Sequence, residues 1–116
     1  MSALQPEGVP FELLGRTWHL KWTLAAIDKA QERFDEPIGA IALRLVDDRQ
    51  LPKAVANLLQ ILIADEIDRD MLGIEPPTVK EIMWAIDIRN LGAAADALIK
   101  SYGFDMPEDD GEDQKN

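Results

Sequence analysis

Four carboxylates within six residues of the predicted helical body, Asp65, Glu66, Asp68 and Asp70, are a group of side chains that could do chemistry. Carboxylates gathered this closely hold divalent cations when their oxygens converge. An EF-hand loop would need alternating oxygen ligands, a central glycine and a later glutamate. Here the glycine is misplaced, and Arg69 splits Asp68 from Asp70. On a helix the four side chains fan over too wide an arc to meet at one ion. The cluster therefore reads as a solvated helix end. Acidic side chains at a helix C-terminus oppose the macrodipole by about 0.3–1 kcal/mol each, which hints at a basic partner.

The other reactive residue types are isolated. His19 is the one histidine, on the polar face of an alternating segment, with no nucleophile or base at readable spacing. It reads as a surface residue. Ser101 lacks the context of a nucleophile elbow. There is no cysteine, which excludes disulfides, thiolate zinc sites and thiol nucleophiles. Neither a Walker loop nor a dinucleotide fingerprint occurs. No catalytic constellation, cofactor site or metal site is legible, and the expectation is a protein that is not an enzyme.

The elements around these residues are clearer. Phe11, Leu13, Trp18, Leu20 and Trp22 alternate with Glu12, Thr17, His19 and Lys21, the period of two that marks a strand with one apolar face. Gly15 sits between the halves, where a tight turn wants positive φ. From Thr23 the period becomes helical, with Leu24, Ile27, Ala30 and Phe34 on one face to about Arg33. Pro37 suits the first turn of a short second helix, about Ile38 to Val46, with Ile41 and Leu45 aligned.

A third helix is predicted from about Pro52 to Leu72, closed by Gly73 at C′. Between Ala54 and Ala64 only Asn57 and Gln60 are polar, so this helix is either central to the fold or partly an uncovered partner surface. Pro76-Pro77 forces an extended link. Thr78 and Glu81 form a capping box for a fourth helix carrying Ile82, Met83, Trp84, Ala85 and Ile86. After a break at Asn90-Leu91-Gly92, a fifth helix runs from about Ala93 to Tyr102, with Ala94, Ala97 and Leu98 inward and Gly103 as its stop. The predicted fold is mainly α with a short N-terminal β-hairpin, a five-helix compact bundle. Residues 1–8 read as a flexible arm, 9–104 as one domain, and 105–116 as a disordered acidic tail.

Three tryptophans carry most of the ambiguity. Trp18 and Trp22 share the hairpin's apolar face, where they serve either as core or as an open platform. An isolated two-stranded hairpin is unstable in water, which favours the core. Ile82, Met83, Trp84, Ala85 and Ile86 cannot all point inward from one helix. Part of that ring must be exposed, and Met and aromatic side chains are frequent interface anchors.

Composition narrows the partners. The 116 residues include 22 acidic and 12 basic side chains, for a net charge of −10. Such a field repels phosphate, so no nucleic-acid partner is expected. The tail alone holds Asp105, Glu108, Asp109, Asp110, Glu112 and Asp113 against Lys115. The uncharged run Ala54 to Ala64 is far too short to span a membrane, and no signal peptide is visible at the N-terminus. A soluble cytoplasmic protein is expected, with no membrane partner.

The run Phe11-Glu12-Leu13-Leu14-Gly15-Arg16-Thr17-Trp18-His19-Leu20-Lys21-Trp22-Thr23-Leu24-Ala25-Ala26-Ile27 carries a family resemblance. With Ile38 to Leu45, Leu51 to Ala64, and Pro77-Thr78-Val79-Lys80-Glu81-Ile82 through Gly92 to Ile99, it resembles the tail assembly chaperones of long-tailed phages and gene transfer agents. The likeness covers about residues 9 to 103 and consists of hydrophobic patterns. The hairpin tryptophans and the acidic tail fall outside it.

The resemblance implies a non-enzymatic assembly factor without cofactors. Such chaperones coat the tape-measure protein and recruit tail-tube subunits. They work in the cytoplasm of the bacterial host and are absent from the mature virion. Binding is expected through apolar helix faces, with Leu58, Leu62, Met83 and Trp84 as client contacts, and a homo-oligomer is possible. The alternative is an acidic inhibitor or nucleic-acid mimic that binds a basic protein surface.

Overall fold

The hairpin turns on two residues with positive φ, Leu14 at 55° and Gly15 at 77°. Both signs are those of a type I′ turn, the one whose twist matches the strands it joins. Glycine adopts this conformation freely, whereas Leu14 does so against its own Cβ. β1 (Val9–Leu13) and β2 (Arg16–Leu20) pair antiparallel, with Val9 opposite Leu20, Phe11 opposite Trp18 and Leu13 opposite Arg16. The computed structural model describes residues 8–103. The expected arm up to Glu7 and the expected acidic tail lie outside the described residues.

Hydrogen-bonded pairs alternate along such a ladder. With Leu13 and Arg16 closing the turn, Pro10 and His19 fall on a non-hydrogen-bonded pair. The missing N–H of Pro10 therefore costs nothing, and the N–H of His19 points to the outer edge of β2. Gly8 leads into the hairpin so closely that a Cβ there would lie 2.7 Å from the Leu20 carbonyl oxygen.

Helix α1 (Leu24–Phe34) begins where the Thr23 hydroxyl accepts a hydrogen bond from the Ala26 N–H. Its inward residues are Ala26 and Ala30, flanked by Ile27 and Phe34, and Leu24 is exposed. At 3.6 residues per turn Leu24 points about 110° away from the centre of that face, which corrects its predicted place in it. Helix α2 (Ile38–Leu43) tightens into a 3₁₀ turn at Arg44–Val46, and Ile41 and Leu45 are buried as their alignment predicts.

Helix α3 (Leu51–Arg69) is the axis of the molecule, packed against β2, α1, the 3₁₀ turn and the two helices that follow it. Ten of its residues are buried, including Leu58, Leu59, Leu62 and Ile63, so its nearly all-round apolar surface is core. It ends three residues earlier than predicted, and Gly73 is not its C′ residue. Met71, with φ 51°, takes that place. The Leu72 N–H bonds the Ile67 carbonyl and the Met71 N–H bonds the Asp68 carbonyl, the bond pattern of a Schellman motif.

Helix α4 (Val79–Ala85) starts at the predicted capping box: the Thr78 hydroxyl accepts from the Glu81 N–H and the Glu81 carboxylate accepts from the Thr78 N–H. The chain turns extended at Ile86 and re-enters a helix at α5 (Leu91–Tyr102), two residues before the predicted start. Gly103 stops α5 with φ 86°. The described residues are thus mainly α, five helices behind an N-terminal hairpin, around one core.

Candidate functional site

Among the described residues, α4 and the link to α5 hold the largest solvent-facing apolar side chains that lie near one another in sequence. Trp84 is 78% exposed, Ile88 90% and Met83 43%. The capping box fixes the start of α4 and so the rotation of these side chains about its axis. Ile82, one position earlier, is fully buried and anchors α4 to α3. With Ile82 inward, Met83 lies to one side and Trp84 nearly opposite the core. The Lys80 ammonium sits 5.5 Å from the centre of the Trp84 ring, a cation–π contact that shields one face of the indole.

Beside Met83 lies a groove of about 340 Å³, lined chiefly by Val55 and Ala56 of α3, by Ile82 and Met83 of α4, by Ile86 and Ile88 of the link, and by Leu91 at the start of α5. Asp87 is the charged residue on its wall. Its carboxylate accepts hydrogen bonds from the Arg89 guanidinium and, secondarily, from the Arg89 backbone N–H, which hold it below the ordinary carboxylate pKa. Asn90 closes the same turn by accepting from the Asp87 N–H. A groove of this shape takes apolar side chains from another helix.

Met83 and Trp84 are therefore placed at the surface. Leu58 and Leu62 are 0% and 1% exposed. The expectation that they touch a client is corrected: α3 turns those residues into the shared core, and contact through them would require the core to open. Sequence periodicity could not separate the inner and outer sides of a helix that is apolar almost all round. Neither Ile88 nor the groove is visible in the sequence, since an isolated Ile between Asp87 and Arg89 carries no periodic signal.

The acidic stretch is also rearranged. Glu66 is buried, the one charged residue in the core among the described residues. Its carboxylate accepts from the His19 N–H at 2.6 Å and lies 3.0 Å from His19 Nδ1. Asp65 accepts from the Thr23 hydroxyl at 2.9 Å and pairs with Arg69 at 2.7 Å. The reading of these two as a solvated helix end does not hold for Glu66, and His19 is not a lone surface residue. Together they pin the outer edge of β2 and the N-terminus of α1 to α3. Among the described residues no group of three His, Cys, Asp or Glu side chains is arranged to hold a metal ion.

Trp18 is buried, with its indole N–H donating to the Leu13 carbonyl at 3.1 Å. Trp22 lies beyond β2 rather than on it. Its ring stacks on Tyr102 at 4.9 Å and its N–H donates to the Ser101 hydroxyl at 2.9 Å. Trp22 and Ser101 thus join the hairpin exit to the end of α5 as a structural clasp. No helix among the described residues is long and apolar enough to cross a membrane. No family model, no curated protein and no solved structure matches this chain.

Proposed function

We propose that this chain is a non-enzymatic phage tail assembly chaperone, holding apolar helical segments of a tape-measure protein and bringing tail-tube subunits to it. The observation that carries the reading is the apolar surface of Met83, Trp84 and Ile88 beside a groove of about 340 Å³. Exposed apolar groups set close together on an otherwise acidic chain suit a protein that shields a sticky client and stays soluble. An amphipathic client helix would lay one apolar side chain in the groove and others against Met83 and Trp84. The hydrophobic patterning from the hairpin to α5 supports the same family. The work belongs in the host cytoplasm, before the virion is complete.

The test is capture of a purified tape-measure fragment by the full chain. Expected are retention at high salt, loss on Trp84→Ala and Met83→Ala, and little change on deleting Asp105 to Asn116. The net charge of −10 favours a second reading, an acidic inhibitor of a basic protein. Binding that vanishes with the tail deletion or with salt, and ignores Trp84→Ala, would overturn the chaperone in favour of that inhibitor.

A further inference from the structure

From Gly73 to Asn90 one residue is buried, Ile82. Val79, Ala85 and Ile86 are part-buried beside it, and the other side chains of α4 face water. α4 packs against α3. Of the hydrogen bonds that residues 73–86 make, one reaches another element: the Gln60 side-chain amide of α3 donates to the Pro77 carbonyl at 3.2 Å. The capping box and the Lys80–Trp84 contact close within the segment itself. None of the ion pairs among the described residues involves Glu75, Lys80 or Glu81. Seven residues are too few to hold a helix in water unaided, so α4 stays helical only while Ile82 is docked. Both ends suit a hinge. The chain runs from Gly73 through Pro76-Pro77 without regular structure, and it is extended again at Ile86.

We infer that residues 73–86 form a lid, which opens from α3 as one unit while the hairpin, α1, α3 and α5 stay folded. Burying one isoleucine favours the docked form by roughly ten- to two-hundredfold. Folding of a whole domain is favoured by roughly ten-thousandfold or more. The hold on α4 is therefore far weaker than the hold on α3, which lies at the centre of the core. Opening carries away Ile82, Met83 and Ile86, one wall of the groove, and leaves Pro52, Val55 and Ala56 of α3 as the other. The slot of about 340 Å³ becomes a trough as wide as the helix that left it. In the chaperone reading, on which this use of the lid rests, a client helix takes the place of α4 against α3. The opening itself is a property of the free chain.

The experiment is native-state hydrogen exchange of the full chain, followed amide by amide by NMR. The amides of Met83, Trp84, Ala85 and Ile86 are expected to open together, roughly a hundredfold or more oftener than those of Leu59, Leu62 and Ile63. Leu20→Ala separates local from global opening, because Leu20 is fully buried on β2 and weakens the folded body without touching α4. It is expected to speed exchange along α3 by roughly thirtyfold or more and to leave the α4 amides within about twofold of wild type. Leu20→Val makes the same comparison with a smaller effect if Leu20→Ala does not fold. Wild-type α4 amides as protected as those of α3 overturn the inference. So do α4 amides that accelerate by the same factor as α3 in the variant, or that open independently of one another. Capture of a tape-measure fragment is read separately, and its failure removes the client while leaving the lid.

Discussion

Replacing Glu66 tests whether the hairpin is held to the helices by one buried carboxylate. In Glu66→Ala the His19 N–H loses an acceptor 2.6 Å away on the outer edge of β2, where no strand can replace it. An orphaned, partly buried donor costs about 1–3 kcal/mol. The vacated side chain leaves a void beside β2, and a deletion of this size adds about 1–2 kcal/mol where the walls cannot collapse. Relief from desolvating the carboxylate returns part of this. The net expectation is a loss of about 2–3 kcal/mol. For a domain of this size that lowers Tm by about 4 °C per kcal/mol, so by roughly 10 °C.

Two further variants separate the causes. Glu66→Gln keeps the shape and an acceptor for the His19 N–H, and is expected to cost under about 1 kcal/mol. Glu66→Leu fills the space but leaves the donor orphaned, and is expected to fall between the other two. The assay is urea unfolding followed by tryptophan fluorescence, which reports the environment of buried Trp18. If Glu66→Ala unfolds within about 0.5 kcal/mol of wild type, or Glu66→Gln is as damaged as Glu66→Ala, the reasoning is wrong.

The other predictions concern the turn, the clasp and the two kinds of leucine and tryptophan. Leu14→Asn is expected to stabilise the hairpin by about 0.5–1 kcal/mol, because asparagine tolerates the positive φ that Leu14 bears, and a rise in Tm checks it. Burial raises the pKa of Tyr102, the single tyrosine of the chain. The tyrosinate absorbance near 295 nm should then stay flat through pH 10 in the folded protein and appear with unfolding. Its contribution to stability is full below the unfolded pKa of about 10 and is lost as pH rises above it, since the unfolded state releases the proton first. Leu58→Ala is expected to cost about 2–5 kcal/mol, as a fully buried leucine does. Trp84→Ala should leave stability within about 0.5 kcal/mol of wild type. Chemical denaturation of both variants distinguishes core from surface.

Much of the architecture is local in origin, and it was legible for that reason. The change of period at Thr23 marks where strand gives way to helix, and the Thr23 hydroxyl caps that helix. The Thr78 and Glu81 box starts α4, and Gly103 ends α5. Each of these depends on residues within one turn of chain. The end of α3 departs from the expected glycine stop because Met71 adopts the left-handed C′ conformation there, stabilised by backbone bonds that any residue with a backbone N–H can make. The site was legible only in part. Met83 and Trp84 could be suspected, since five successive large residues cannot share one face.

By itself the amino-acid sequence determined the hairpin, the number and order of helices, the acidic surface and the absence of a thiol, all consequences of residue type and short-range spacing. Tertiary packing alone decided which apolar residues are hidden. α3 is greasy nearly all round, so only the elements laid against it could turn Leu58 and Leu62 inward and leave Trp84 and Ile88 in water. The same packing took Glu66 out of its acidic run and set it on His19, 47 residues away. Burial is a property of neighbours that are distant along the chain, and hydrophobic periodicity reports only the side of a helix, not what lies against it.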